Sequence, residues 1–273
     1  EEERASALSL LLQRMVVTAL HLGAKSGDNE ECEKFLVEDK ERVNEKDSTG
    51  WTALHWACSR AAVDVVKTLI DADADVNCAT DDNWAPVHDA ARSGSDPVLR
   101  LLKGAGADFQ VQTGNGSTPL HWAAQYDRME AVKFLLQVDD IKVNIVNKAG
   151  HSAVHICARF GKPDVLKALL EAGASVLLRD KIGRRARDIA EEFKFADIVT
   201  MLDAEVVTQQ SQNSNAGEIC VKDAEECVLM GKKDEAVGKL KEAVVFFTLA
   251  EVPEKAKDAQ DQAAALAKEI AAA

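Results

Sequence analysis

The chain has 273 residues, 47% hydrophobic and only 5% aromatic, which suits a continuous elongated core packed from small aliphatic side chains. Its 33 basic against 46 acidic side chains leave a formal charge of −13, and the sequence shows no basic stripe, which disfavours nucleic acid and anionic membrane surfaces as partners. No apolar run approaches the ~18 residues that a bilayer-spanning helix requires, so membrane insertion is not expected.

Residues 1–17 contain an apolar stretch from Ala5 to Val17 that reads as an N-terminal capping helix. A tetrapeptide then recurs: Thr18-Ala19-Leu20-His21, Thr52-Ala53-Leu54-His55, Ala85-Pro86-Val87-His88, Thr118-Pro119-Leu120-His121 and Ser152-Ala153-Val154-His155. The histidines are separated by 34, 33, 33 and 34 residues, and one further step of 33 lands on Asp188. A fixed period of this size predicts stacked copies of one small unit, with units starting near 18, 52, 85, 118, 152 and 185 and ending at 203.

Within each unit the residue types predict two short helices and a projecting hairpin. Thr52 is a suitable N-cap, and Pro86 and Pro119 occupy the next position, where a missing N–H does no harm. Small residues follow the histidine (Ala57-Cys58, Ala90-Ala91, Ala123-Ala124, Cys157-Ala158) and allow close helix approach. Gly27, Gly94 and Gly161 suit left-handed C-caps; Ala61, Asp127 and Lys194 replace that glycine elsewhere, which predicts less regular helix ends there. Second helices end in aliphatic pairs such as Leu69-Ile70 and Leu135-Leu136, and Asp-Val-Asn segments lead to turns closed by Gly50, Gly116, Gly150 or Gly183.

This unit resembles the ankyrin repeat, whose T-P-L-H-x-A signature is carried nearly intact at Thr118–Ala123, with the resemblance covering about residues 15–203. It implies an all-α ankyrin-repeat solenoid and a protein-binding function. It also implies that His21, His55, His88, His121 and His155 are framework residues tying neighbouring hairpins together. The last unit replaces histidine by Asp188 and brings Arg184, Arg185 and Arg187, as a solvent-facing terminal cap requires.

Residues 204–217 turn to polar amides and serine and read as a linker. Residues 218–273 follow as a C-terminal helical segment with patterns at about 218–230, 234–249 and 254–271, a hairpin or three-helix arrangement. The run Gly231–Ala243 resembles the middle of a single tetratricopeptide unit, with Ala224, Ala236 and Ala243 where such a hairpin packs closely; an unrelated helical bundle is the alternative.

Catalytic machinery is not expected. There is no phosphate-cradling glycine loop, nucleophile elbow or paired CxxC, and His151 and His155, four apart, are separated by a helix start, so they cannot form a metal face. No cofactor, metal or small-molecule substrate is anticipated. The six cysteines read as buried reduced thiols, which places the chain in a reducing intracellular compartment, cytoplasmic, or organellar if a targeting peptide was removed. The start at Glu1 reads as a fragment or a processed form.

The residues that the repeat does not dictate are the binding candidates. Trp51 and Trp84 follow the hairpin turns of neighbouring units and are expected side by side at a groove edge, where buried aromatics carry binding energy. Five residues after each histidine stand Arg60, Ser93, Tyr126, Phe160 and Phe193, an apolar stripe for a partner or for the C-terminal helices. Directly after the histidine come Trp56, Asp89, Trp122 and Ile156, with the tryptophans read as inter-repeat packing. Asp89 and Arg92, at i and i+3, are positioned to pair; the segment Val87–Arg92 resembles ankyrin inhibitors of cyclin-dependent kinases, which implies that the Asp89 carboxylate faces the groove and makes both residues groove candidates. The expected function is a protein–protein interaction scaffold or linker, holding one partner in the groove and another on the C-terminal helices as part of a larger assembly. The alternative is a regulatory or inhibitory subunit that occludes a catalytic partner.

Overall fold

The recurring residues build recurring helices. In the computed structural model, which describes residues 19–272, the first helices of the repeats are α1 (described over 19–26), α3 (Ala53–Ser59), α5 (Pro86–Ser93), α7 (Pro119–Gln125), α9 (Ala153–Phe160) and α11 (Ala186–Glu192). The second helices are α2 (Asn29–Glu38), α4 (Val63–Asp71), α6 (Asp96–Gly104), α8 (Met129–Leu136) and α10 (Pro163–Glu171). The capping helix expected over residues 1–17 lies outside the described residues.

The chain divides into two compact units, one of residues 19–174 with 179–198 and one of residues 175–178 with 199–272. In the first, α3, α5, α7, α9 and α11 pack in succession as one layer, and α2, α4, α6, α8 and α10 pack in succession as a second. The core between the layers is what the small-residue pattern requires. Ala57, Cys58, Ala90, Ala91, Ala123, Ala124, Cys157 and Ala158 are all fully buried, as are Leu69, Leu102, Leu135 and Leu169 on the second helices. Each buried leucine contributes about 1.5–3 kcal/mol relative to leaving it in water.

The linkers between units are also stacked. Asn44 Oδ1 accepts from the Asp75 N–H at 2.7 Å, and Asn77 Oδ1 accepts from the Asp108 N–H at 2.9 Å, so in these two segments the asparagine holds the next repeat. Neighbouring hairpins exchange backbone hydrogen bonds, Lys148 N–H to Asn115 O at 2.8 Å and Lys181 N–H to Ala149 O at 3.0 Å. Gly116 and Gly150 make that approach possible. Both have φ above +80°, and a Cβ added there would lie 2.8 Å from Lys148 N and 2.7 Å from Lys181 N.

At the ends of α3, α7 and α11 the structure departs from expectation. Ala61, Asp127 and Lys194 take the same left-handed conformation as the capping glycines, with φ of 57°, 60° and 63°. The helix ends are therefore regular, because the following second helix must start in the same place in every repeat; the cost falls on backbone strain, about 1–2 kcal/mol for a residue with a Cβ.

The linker expected over 204–217 is corrected by the structure: these residues lie inside α12 (Ala196–Leu229), a 34-residue helix. Their polarity reflects a solvated helix face. The stretch contains no proline, and its glutamines find partners that a loop would not need, with Gln209 Oε1 accepting from Val176 N–H at 3.0 Å and Gln210 donating to Glu251 at 3.0 Å. In the second unit α12 packs with α13 (Lys233–Leu249) and α14 (Pro253–Ala272). Two small cores join all three, one of Cys220, Ala243, Phe247 and Ala259, the other of Ala224, Ala236, Leu240 and Ala263. Gly217 sits where the Phe247 ring meets the α12 backbone; a Cβ there would lie 2.6 Å from the ring.

Candidate functional site

The histidines come first, because they fix the first-helix face on which every candidate residue stands. In three repeats Nδ1 accepts the backbone N–H of the helix N-cap: Thr52 to His55 at 3.2 Å, Thr118 to His121 at 3.2 Å and Ser152 to His155 at 3.3 Å. His88 does the same for Ala85 at 3.0 Å. An Nδ1 that accepts leaves the proton on Nε2, which donates across to the next hairpin: His55 to Trp84 O at 3.0 Å, His88 to Val111 O at 3.1 Å and His121 to His151 O at 2.9 Å. His21 Nε2 lies 3.1 Å from Trp51 O in the same relation. Burial pushes the pKa of His55, His88 and His121 down to about 4, so these rings stay neutral and hold the tautomer that the ties require.

The ties place Trp51 and Trp84 at the hairpin bases, since their carbonyls are the acceptors. The two tryptophans do not stand against each other, as the sequence suggests. Trp51 packs on Trp56 of its own repeat, with ring centroids 4.6 Å apart, and Trp84 packs on Trp122 of the next repeat at 4.7 Å. The reason is geometric: each hairpin tryptophan turns toward the first-helix position directly after a framework histidine. Where its own repeat offers Asp89 at that position, Trp84 reaches the neighbour's tryptophan instead. Trp56 and Trp122 therefore belong to the surface clusters; recurrence of Trp at one repeat position was the signal available in the sequence.

From Trp122 the aromatic surface continues to Tyr126, stacked at 6.3 Å, and the same repeat position then supplies Phe160 and Phe193. Tyr126, Phe160 and Phe193 are 42%, 40% and 45% exposed, high values for side chains of this size. Cations lie over several of the rings. Lys25 Nζ is 4.4 Å from the Trp56 centroid, the Arg92 guanidinium is 5.7 Å from Trp84, and Arg159 is 5.9 Å from both Phe160 and Phe193.

Asp89 and Arg92 form the expected ion pair, with Arg92 Nη2 donating to Asp89 Oδ1 at 3.1 Å. The implied groove-facing carboxylate is corrected: Asp89 is fully buried, and of the pair only Arg92 reaches solvent. Its Oδ2 has no hydrogen-bond partner, nor has the buried Trp84 Nε1, which bears on the carboxylate without closing a bond. Burial drives the Asp89 pKa up to about 7, against the pull of the Trp84 indole and Arg92. Asp47, by contrast, is held below its ordinary range despite partial burial, since it accepts from the Thr49 hydroxyl and N–H, the Trp51 N–H and, at 2.8 Å, the Trp56 indole.

Three buried thiols are poor nucleophiles. Burial raises the Cys32 pKa to about 11 and those of Cys58 and Cys157 further, so all three stay protonated at neutral pH. Among the described residues no group of three or more His, Cys, Asp or Glu side chains is arranged to hold a metal ion, and no helix is long and apolar enough to cross a membrane.

Known proteins share parts of this chain. Mouse protein phosphatase 1 regulatory subunit 27 is 44% identical over 59 residues, which are 22% of this chain and 38% of that protein. The rice BTB/POZ domain and ankyrin repeat-containing protein NPR3 is 35% identical over 68 residues, 25% of this chain and 12% of its own. The chain thus matches well under two thirds of the length of these relatives. Among solved structures, the ankyrin repeat protein EF0377 superposes with a TM-score of 0.62 at 27% identity, covering 68% of this chain and 97% of its own. A chain from the complex of the Bdellovibrio bacteriovorus predatory endopeptidase Bd0816 with immunity protein Bd3460 gives 0.61 at 26% identity, with coverage of 68% and 97%. The family profile of ankyrin repeats matches residues 5–80 and 87–180, and with the histidine ties, the two helix layers and the hairpins these matches show that the chain belongs to the ankyrin repeat family.

Proposed function

We propose that the chain is a non-catalytic interaction scaffold that grips a protein partner on the first-helix face of its ankyrin repeats, with the helices of the second unit free for another contact. Ankyrin repeats bind proteins, and the observation that carries the reading to this face is the run of rings Trp56, Trp84, Trp122, Tyr126, Phe160 and Phe193, partly exposed across successive repeats. Aromatic side chains half-exposed on a rigid surface are those that lose most water on docking. The absence of a catalytic role is supported by chemistry: the imidazoles of His55, His88 and His121 are spent on hairpin ties and held neutral, and the most buried thiols are protonated. On this reading Trp51, Trp84, Arg92, Tyr126, Phe160 and Phe193 contribute to binding, and Asp89 acts from beneath by holding Arg92.

A regulatory subunit that occludes a catalytic partner is the second reading, favoured by the 44% identity to a phosphatase regulatory subunit over 59 residues. Cross-linking in native extract, with the wild type beside Trp51→Ala/Trp84→Ala and Tyr126→Ser/Phe160→Ser/Phe193→Ser, tests both. Loss of one partner from a variant that keeps its circular dichroism supports the groove, and retention of every partner by both variants refutes it. A fall in the partner's activity on binding separates the regulatory reading from the scaffold.

A further inference from the structure

Contact between successive first helices puts equivalent positions of neighbouring repeats into one row. The positions four and five residues after the framework histidine collect Lys25, Arg60 and Arg92 about one repeat apart and Arg159 two repeats further on, a spacing that hides the stripe in the sequence. Lys25, Arg60 and Arg159 are exposed, and none forms an ion pair with a carboxylate among the described residues. Three carboxylates on or next to these first helices are already engaged: Asp89 holds Arg92, Asp127 pairs with Lys162 at 3.3 Å, and Glu192 with Arg184 at 2.7 Å. A helix C-terminus favours a cation for its own reasons. That effect does not explain why Lys25 and Arg159 lie over rings and stay without an ion pair in a chain with 46 acidic side chains against 33 basic.

We propose that this row is the docking track for an extended acidic segment of a protein partner, which contributes one carboxylate at each repeat that presents a cation. The inference rests on the groove reading above and specifies the partner's chemistry. Packed helices stand about 8–10 Å apart, and a chain in the extended polyproline II conformation advances ~3.1 Å per residue with three residues per turn, so each repeat spans about three partner residues and every third side chain returns to the same face. Carboxylates at every third residue then meet Lys25, Arg60 and Arg92 in turn. An apolar residue falls against Tyr126, where the cation column is interrupted, and a last carboxylate meets Arg159. A single-stranded nucleic acid also stacks on aromatic rings, but it brings one charge per nucleotide against one cation per repeat, and a chain of charge −13 repels it.

The test is fluorescence anisotropy on the whole chain. The probe is a labelled extended peptide of about 15 residues with this spacing. Controls are a peptide of the same composition with its glutamates clustered and an oligothymidylate of equal charge. The spaced peptide is expected to bind at least about tenfold more tightly than either control, with affinity falling as salt is raised. Lys25→Glu/Arg60→Glu/Arg159→Glu should abolish that preference, and the milder Lys25→Gln/Arg60→Gln/Arg159→Gln guards against misfolding. Equal binding of both peptides, no saturable binding of the spaced one, or tighter binding of the oligonucleotide overturns the proposal. A partner lost from the aromatic variants yet retained by the charge-reversed one would leave the groove reading standing and remove the acidic segment alone.

Discussion

The buried carboxylate gives the sharpest test of the electrostatics. Asp89 is fully buried beneath Arg92, and burial outweighs its ion pair, holding the pKa at about 7 instead of near 3.8. A carboxyl whose folded pKa lies above its unfolded one carries more protons in the folded state. It therefore costs the fold stability as pH rises from about 4 to 7, and the whole penalty is present above 7. Between pH 5 and 8 the difference amounts to about two pH units at ~1.4 kcal/mol each, or about 3 kcal/mol. Asp89→Asn removes the titration. It also places a buried amide N–H where Oδ2 has no partner, a cost of about 1–3 kcal/mol that does not vary with pH. The absolute effect at one pH can thus take either sign, whereas the change between pH values cannot. Urea unfolding followed by tryptophan fluorescence at pH 5, 6, 7 and 8 should show the variant gaining about 2–3 kcal/mol on the wild type across that range. Contributions from the histidines cancel in the difference, since they are common to both chains. A stability difference that stays constant with pH would refute the claim that burial raises the Asp89 pKa.

Three further outcomes are expected. The histidines act in the opposite sense: with folded pKa values of about 4 against ~6.5 unfolded, His55, His88 and His121 each withdraw up to about 3 kcal/mol as pH falls from 6.5 through 4, and imidazole NMR titrations with midpoints near 6.5 would sink this account. Gly217→Ala should destabilise the second unit by about 1–2 kcal/mol in thermal unfolding, because the clash with the confined Phe247 ring outweighs the ~1 kcal/mol that alanine gains in helix propensity; a rise in melting temperature would show that the ring can shift. Ala61→Gly should stabilise the ankyrin unit by up to about 1 kcal/mol, since relief of left-handed strain exceeds the added entropy of the unfolded chain, and any loss of stability in urea titration contradicts that balance.

Periodicity made much of this protein legible before any coordinates. A 33–34-residue spacing of one histidine is enough to place helix starts, the close-packed small residues and the left-handed turns, because each feature is a local requirement repeated in register. The pairing of Asp89 with Arg92 was equally local, set by helical spacing. Three things were decided elsewhere. The polar stretch 204–217 is helical because Val176 and Glu251 supply partners remote in sequence. Trp84 turns to Trp122 instead of Trp51 because its own repeat offers Asp89 at the position a second ring would need. Asp89 is fully buried in the stack, and its charge adds to burial in raising the thiol pKa of Cys58 in the preceding repeat. Sequence alone fixes the repeat, because the forces that set it act within about thirty residues. Which face of the stack carries rings and uncompensated cations depends on stacking, which brings residues one repeat apart into a single row.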